Sequence, residues 1–312
     1  MERNTWMDGI KFILIVIVIF GHCRHFTTYD DTLLSTKLVS RAIHSVYLFH
    51  MPLFICISGF FSRKTDKTQF RHSITKLLRV FVVFHLLWIG IDLLCGSTFS
   101  FYRLIIPSFT LWYLLSLVYW RCILQLIPKR FDKWNVILPI TLLVSLLGGL
   151  IPLTNELSIP RTLTFMPVFF LGYYAKRNEW LKYIRKAHLL WFLIPAIALL
   201  IFENQIYMDV YGRKPYVEFS DVIKRAIYLG SSIVISIAFV KLLPQKISVF
   251  SNEGKDVLFY YVYHSFVLFV IAGVLDKIGI VVSGIGLLLI VLTTTIILFV
   301  CNRIKWLHIP LH

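Results

Sequence analysis

Long apolar stretches recur along the chain, and they limit its fold more than any other feature. A helix needs about 20 mainly apolar residues to cross the hydrocarbon core of a bilayer. Ten stretches approach that length: roughly 9–26, 44–61, 74–95, 105–127, 135–152, 162–175, 188–203, 222–243, 256–275 and 279–301. A backbone in lipid has to satisfy its own polar groups, so such stretches predict helices. We therefore expect an all-α, polytopic integral membrane protein with about ten transmembrane helices.

The composition favours one membrane domain without a soluble one beside it. The chain of 312 residues is 58% hydrophobic and only 15% charged, whereas soluble domains are about a quarter charged. No long polar stretch separates the apolar ones, so we expect a single domain over residues 1–312. No small-residue cleavage site follows the first stretch, which we interpret as a retained helix and not as a signal peptide.

The net charge of +16 has two explanations, nucleic-acid binding or the excess of lysine and arginine that cytoplasmic loops carry. If the N-terminus is cytoplasmic, 22 of the 32 lysines and arginines fall on the inner side of the ten stretches. This alternation favours the second explanation, so we expect the lipid bilayer and no nucleic acid as a partner. It also predicts that both termini are cytoplasmic.

The five cysteines, Cys23, Cys56, Cys95, Cys122 and Cys301, are scattered and form no C-x-x-C pair. They predict neither a disulfide framework nor a zinc site. We expect packing thiols and no bound metal.

The first apolar stretch carries an ionisable residue at each end, Lys11 and His22. Eleven residues make three helical turns plus about 20°, so both lie on one face, roughly 16 Å apart along the axis. Hydrocarbon does not solvate such groups, and an ionisable residue in a membrane helix is a functional candidate by default. This face is predicted to line protein or water.

The second stretch carries His50, followed closely by Pro52. Proline has no N–H to give the carbonyl of Leu48, so we expect a kink there and a polar notch at the depth of His22. One histidine alone is typical of a hydrogen-bonded core residue, whereas two at similar depth favour a site. Histidine is also the usual general base near neutral pH.

Other residues that bear chemistry are weak signals when taken singly. His264 and His85 lie inside apolar stretches, and Arg161 opens the sixth one. Lys76 and Arg79 belong to a basic segment, which either reflects topology and anionic lipid or holds the phosphates of a cytosolic cofactor.

The segment 204–221 is predicted to be the longest outer loop, and it carries Tyr207, Tyr211, Tyr216 and Phe219 among polar residues. Aromatic rings with polar neighbours suit a sugar-binding face. They also suit an aromatic belt at the membrane interface, and both explanations remain open.

Five motifs occur in an order that is typical of one family: residues 8–22, 49–60, 111–121, 161–173 and 261–264. Together they resemble acyltransferase family 3, a family of multi-spanning membrane proteins, and within it the group related to fucose 4-O-acetylase. The resemblance covers most of the chain and departs from the family at two places. A lysine stands at position 11, where arginine is common, and no proline follows Arg79.

The resemblance implies transfer of an acyl group, usually acetyl, from cytosolic acyl-CoA to a hydroxyl. The acceptor would be a cell-surface polysaccharide or its lipid-linked precursor at the inner membrane of a bacterium. His22 is the expected general base, an acyl-His intermediate being the open variant, and His50 would position His22 or the acceptor. Arg161 would stabilise the oxyanion or bind the sugar. The acyl-CoA side would hold Lys11, Lys76 and Arg79, and the acceptor side would hold Trp112, Tyr113 and His264.

Two other functions are compatible with polar groups inside a membrane. One is a transporter or flippase of a lipid-linked glycan, although transporters usually contain repeats and none is evident in the chain. The other is a partner protein in glycan assembly without catalytic activity. Consumption of acyl-CoA distinguishes an acyltransferase from both.

Overall fold

The structure is a computed structural model, and it describes residues 5–201, 211–244 and 247–311. Within these ranges the regular structure is helical, and an isolated bridge joins the extended residues Tyr29 and Val282. The predicted all-α class is therefore confirmed for the described residues. Tyr207 of the predicted aromatic loop, and Arg3 and Lys246 of the charge count, lie outside them.

Fourteen α-helices are present in the described ranges, and four short 3-10 turns lie between or after them. The α-helices are α1 (Thr5–His22), α2 (Leu34–Tyr47), α3 (His50–Phe61), α4 (Lys67–Leu94), α5 (Tyr102–Ile105), α6 (Trp112–Leu126), α7 (Trp134–Leu147), α8 (Ile159–Arg177), α9 (Trp180–Lys186), α10 (Leu190–Ile201), α11 (Ser220–Leu242), α12 (Ser251–Lys255), α13 (Val257–Lys277) and α14 (Gly284–Cys301). The 3-10 turns are Gly148–Leu150, Glu156–Ser158, Ile247–Phe250 and Lys305–Leu311.

The chain divides into two compact units, each described here by itself. The terminal unit comprises Met1–Met51 and Phe239–His312, and the central unit comprises Pro52–Ala238. The prediction of one domain over residues 1–312 stays a prediction.

Six helical stretches in the described part of the chain are long and apolar enough to cross a membrane. They are α1, α2 together with α3, α4, α11, α13 and α14. The pair α9 and α10 is bent by 88° and adds a seventh if it forms one span. The other predicted stretches contain α6, α7 and α8, which are shorter or more polar. The number of ten spans therefore stays a prediction, while the length and apolar character of the six support a membrane protein.

The second predicted stretch is broken at a different place from the one expected. α2 ends at Tyr47 and α3 begins at His50, with a turn in which the N–H of Phe49 donates to the carbonyl of Val46 at 3.1 Å. Pro52 thus lies in the first turn of α3, where a missing N–H costs nothing. The prediction that Pro52 frees the carbonyl of Leu48 is wrong in detail, because the carbonyl that meets the His50 ring is that of Val46.

α1 is the central helix of the terminal unit, because α2, α12, α13, α14 and the turn Ile247–Phe250 all pack against it. Its side chains Leu14, Ile15 and Ile19 are fully buried. Gly254 of α12 lies directly against the carbonyl of Asp8, where no Cβ would fit. This packing fixes the position of His22, the last residue of α1.

In the central unit, α8 packs against both α6 and α7 and crosses the later part of α3. Two glycines meet at the α3–α8 crossing. A Cβ on Gly59 would overlap the carbonyl of Phe169, and a Cβ on Gly172 would overlap the carbonyl of Cys56. The two backbones are therefore in direct contact.

Candidate functional site

Three of the histidines singled out in the sequence lie together in the terminal unit. They come from the end of α1 (His22), the start of α3 (His50) and the second turn of α13 (His264). The ring centroid of His22 is 6.4 Å from that of His50 and 5.4 Å from that of His264. All three side chains are buried. We call these three residues the histidine cluster.

Tyr47 completes the surroundings of the histidine cluster, and the sequence gave no sign of its role. Its hydroxyl donates to the carbonyl of Gly21 at 3.0 Å, and its ring centroid lies 4.9 Å from that of His50. Tyr47 and His50 are three residues apart, but the turn between α2 and α3 is what brings their rings together. His25, an exposed residue just after α1, has its ring centroid 5.3 Å from that of His22.

The hydrogen bonds of the cluster assign protons to particular ring nitrogens. Nδ1 of His50 lies 2.7 Å from the carbonyl of Val46, and Nδ1 of His264 lies 2.7 Å from the carbonyl of Tyr261. A carbonyl only accepts, so both Nδ1 atoms carry a proton. Nε2 of His50 is then a bare acceptor, and it is buried without a hydrogen-bond partner. A buried polar atom of this kind requires an explanation, and a bound substrate supplies one.

His85 in the central unit behaves differently. Its Nδ1 accepts from the backbone N–H of Ser108 at 3.2 Å, and its Nε2 lies 3.3 Å from the carbonyl of Leu104. Both ring nitrogens are therefore used within the fold. The geometry of His85 is that of a structural histidine.

Arg161, Trp112 and Tyr113 form a second group, which belongs to the central unit. The guanidinium of Arg161 lies 4.8 Å from the centroid of the Trp112 ring, and its Nε donates to the carbonyl of Tyr211 at 3.3 Å. The hydroxyl of Tyr113 is 2.5 Å from that of Ser58 on α3. Arg161 is thus held over an aromatic face at the start of α8.

The basic residues predicted to meet a cofactor lie in two places. Lys11 forms an ion pair with Asp8 of the same helix, with 2.9 Å between Nζ and Oδ1. In the central unit, Lys76 is half-buried and Arg79 exposed, one turn apart on α4. On α6, Nη1 of Arg121 donates to the hydroxyl of Ser73, also on α4, at 2.7 Å.

An ionic cluster around Asp132 holds the connections of the central unit, and no motif in the sequence pointed to it. Its carboxylate lies 3.0 Å from Nζ of Lys64 and 2.8 Å from Nη1 of Arg177, and it accepts from the hydroxyl of Tyr174 at 2.7 Å. Burial alone would raise the pKa of Asp132. The hydrogen bonds of Tyr174 and Lys64 and the charges of Lys64 and Arg177 outweigh burial and lower that pKa. Asp132 therefore stays ionised and ties the α3–α4 connection to the end of α8.

Among the described residues, no group of three or more His, Cys, Asp or Glu side chains is arranged to hold a metal ion. The histidine cluster itself lacks metal geometry, because two of its Nδ1 atoms already face carbonyls. The expectation that the protein uses no metal stays a prediction.

Apolar helices of membrane-spanning length and a buried group of imidazoles define the class of the protein, a helical membrane protein with polar chemistry inside its spans. The chain belongs to acyltransferase family 3, since the sequence model of that family, an acyltransferase domain, matches residues 4–302. The resemblance inferred from the five motifs is thereby confirmed. Membership makes the protein an acyltransferase, which needs an acyl donor and an acceptor.

Two curated relatives match a shorter part of the chain, and both are named nodulation protein NolL. The protein of Sinorhizobium fredii is 36% identical over 64 residues, which are 20% of this chain and 17% of the relative. That of Mesorhizobium japonicum is 42% identical over 61 residues, 20% of this chain and 16% of the relative. The matched parts thus span about a sixth of the length of either relative. No solved structure matches the chain.

Proposed function

We propose that the protein is an O-acyltransferase that moves an acyl group, most simply acetyl, from cytosolic acyl-CoA to a sugar hydroxyl. The acceptor is a cell-surface polysaccharide or its lipid-linked precursor at the inner membrane of a bacterium. Family membership supports acyl transfer. The observation that carries the proposal is the histidine cluster, in which buried imidazoles meet and Nε2 of His50 is left as a bare acceptor.

In the proposed reaction His22 acts as the general base. Its imidazole takes the proton of the acceptor hydroxyl while the hydroxyl oxygen attacks the carbonyl carbon of the thioester. A C–O bond forms, the C–S bond breaks, and the leaving sulfur takes the proton back from His22. The products are an O-acyl ester and the free thiol of CoA, and His22 returns to its neutral form.

The remaining roles follow from chemistry and position. His50 positions the acceptor, because its bare Nε2 takes a hydrogen bond from a hydroxyl. Arg161 binds the sugar or stabilises the oxyanion with guanidinium N–H groups, and Trp112 and Tyr113 provide an aromatic and a hydroxyl contact for the acceptor. Lys11 is the charged group on the α1 face that leads to His22.

The donor is proposed to be held through its phosphates by Lys76 and Arg79. Arg79→Ala should raise the KM for acetyl-CoA about 10- to 100-fold, because a charge-assisted hydrogen bond contributes about 1.5–3 kcal/mol. Steady-state kinetics in inverted vesicles measure this. Lys67→Ala is the matched control, since Lys67 is also exposed on α4 but lies three turns away. An unchanged KM in a folded Arg79→Ala protein would leave topology as the sole reason for these cations.

The proposed topology has ten spans with both termini in the cytoplasm, so that the donor enters from inside and the acceptor from outside. Residues 63–71 and 176–186 are then cytosolic, and residues 207–216 are external.

Cysteine labelling tests this orientation. Thr68→Cys and Val217→Cys place thiols at exposed positions on opposite sides, in a Cys95→Ser background because Cys95 is itself exposed. An impermeant maleimide applied to intact cells should label Val217→Cys alone. Both should react after the membrane is permeabilised, and labelling of Thr68→Cys alone in intact cells would reverse the orientation.

The proposed function itself is tested in cells. Surface polysaccharide from a strain that expresses the protein should carry alkali-labile acyl esters by mass spectrometry, and that from a matched deletion strain should lack them. Glycan that is missing from the surface in the deletion strain, with no ester in either strain, would contradict acyl transfer and favour a flippase.

A further inference from the structure

We propose that His264 is a positioning residue for His22, which fixes the tautomer of the base so that Nε2 of His22 receives the proton. This inference rests on the proposed role of His22 as general base. It gives His264 a different role from the acceptor contact expected from the sequence. The geometry that carries it is a chain of hydrogen bonds from the carbonyl of Tyr261 through His264 to His22.

The first link fixes the tautomer of His264. Its Nδ1 lies 2.7 Å from the carbonyl of Tyr261, one turn earlier on α13. The carbonyl only accepts, so Nδ1 holds the proton and Nε2 of a neutral His264 holds a lone pair. The ring is fully buried, and Nε2 faces His22.

The second link passes this assignment to His22. Nε2 of His264 and Nδ1 of His22 are 3.3 Å apart, and the two rings are tilted by 30°. Two imidazole nitrogens at this distance share one proton. Since Nε2 of His264 has none, Nδ1 of His22 supplies it, and Nε2 of a neutral His22 is left without a proton. That nitrogen is the basic atom of the site.

The arrangement has the logic of a serine-protease triad, in which a carboxylate holds a histidine in the tautomer that can act as base. Here the acceptor is a neutral imidazole. When His22 takes up the acceptor's proton, its Nδ1–H still donates to Nε2 of His264, which stabilises the imidazolium. A neutral partner avoids an uncompensated buried carboxylate when His22 is neutral.

A purely structural role for His264 does not account for its second nitrogen. The structural histidine of the central unit, His85, has Nδ1 and Nε2 facing a serine and a backbone carbonyl. In His264 the second nitrogen faces the proposed base instead. A direct contact with the acceptor would need a ring nitrogen of His264 that is not already engaged.

Two substitutions separate positioning from packing. His264→Leu fills the space and removes the acceptor for Nδ1–H of His22, so kcat should fall about 10²- to 10⁴-fold, as when a catalytic histidine loses its orienting partner. The KM for acetyl-CoA should change less than about twofold. In His264→Gln the amide oxygen has similar reach and also accepts, so at least a tenfold part of the lost kcat should return.

The measurement uses full-length protein in inverted vesicles with labelled acetyl-CoA, each variant normalised to its folded amount. Equal loss in His264→Gln and His264→Leu, or a loss confined to the KM of the acceptor, would overturn the positioning role. If His22→Gln is inactive while His264→Leu is normal, the relay alone is wrong. If the wild type transfers no acyl group, the proposed function fails first.

A spectroscopic reading of the tautomer does not depend on activity. In protein labelled with ¹⁵N-histidine, the ring shifts of neutral His22, assigned by its loss in His22→Gln, should report the proton on Nδ1 in the wild type and in His264→Gln. In His264→Leu the proton should redistribute to Nε2. A proton on Nε2 of His22 in the wild type would overturn the proposal, whatever the enzyme transfers.

Discussion

His22→Gln should reduce acyl transfer at least 10²- to 10⁴-fold while the protein still inserts and folds. Glutamine keeps a polar side chain of similar reach, so the packing at the end of α1 is largely retained, but an amide cannot take a proton near neutral pH. General base catalysis contributes about this factor. The release of CoA thiol by reconstituted protein, measured as an initial rate, gives the result.

His85→Gln is the matched control for this experiment. His85 is as buried as His22 and lies in an apolar helix, but its ring nitrogens face Ser108 and Leu104. Its replacement should lower stability and leave the rate per folded molecule close to that of the wild type. Near-normal transfer by His22→Gln would make His22 a structural residue and would move the base to another histidine of the cluster.

Gly172→Ala and Gly59→Ala should each lower the free energy of unfolding by about 1–3 kcal/mol, the usual cost of overpacking. Either methyl group would overlap a backbone carbonyl of the opposite helix, Cys56 or Phe169, and a carbonyl cannot turn away as a flexible side chain does. α3 and α8 would have to separate. Thermal unfolding in one detergent, followed by loss of monodisperse protein, measures the effect.

Gly90→Ala on α4 and Gly273→Ala on α13 provide the contrast. No atom lies within 4 Å of a Cβ at either position. Alanine is favoured over glycine in a helix by about 0.5–1 kcal/mol, so these two variants should be slightly more stable than the wild type. If all four variants behaved alike, helix propensity and not the α3–α8 contact would explain the results.

Local pattern was enough to predict the long helices. The stretch 222–243 corresponds to α11 (Ser220–Leu242) and the stretch 256–275 to α13 (Val257–Lys277), because an apolar run of that length has few alternatives in lipid. The pairing of His22 with His50 was also predictable, since consecutive antiparallel spans bring such positions to similar depth. The break before His50 was misplaced, because the proline that prompted it lies comfortably in a first turn.

Contacts between distant parts of the chain were not predictable from the sequence. His22 and His264 are 242 positions apart, and neither residue's neighbours indicate that their rings meet. Tyr47 has the appearance of an ordinary aromatic residue until the turn before α3 aims its ring at His50. Asp132 stands in a basic loop, where its two cationic partners from other segments could not be foreseen.

The transfer of label from ¹⁴C-acetyl-CoA to glycan in inverted vesicles tests the central claim most directly. The wild-type protein should place alkali-labile label in glycan, and His22→Gln, present in the same folded amount, should place at least 100-fold less. No label with folded wild-type protein would contradict acyl-CoA-dependent transfer, and equal label in the two would contradict the role of His22.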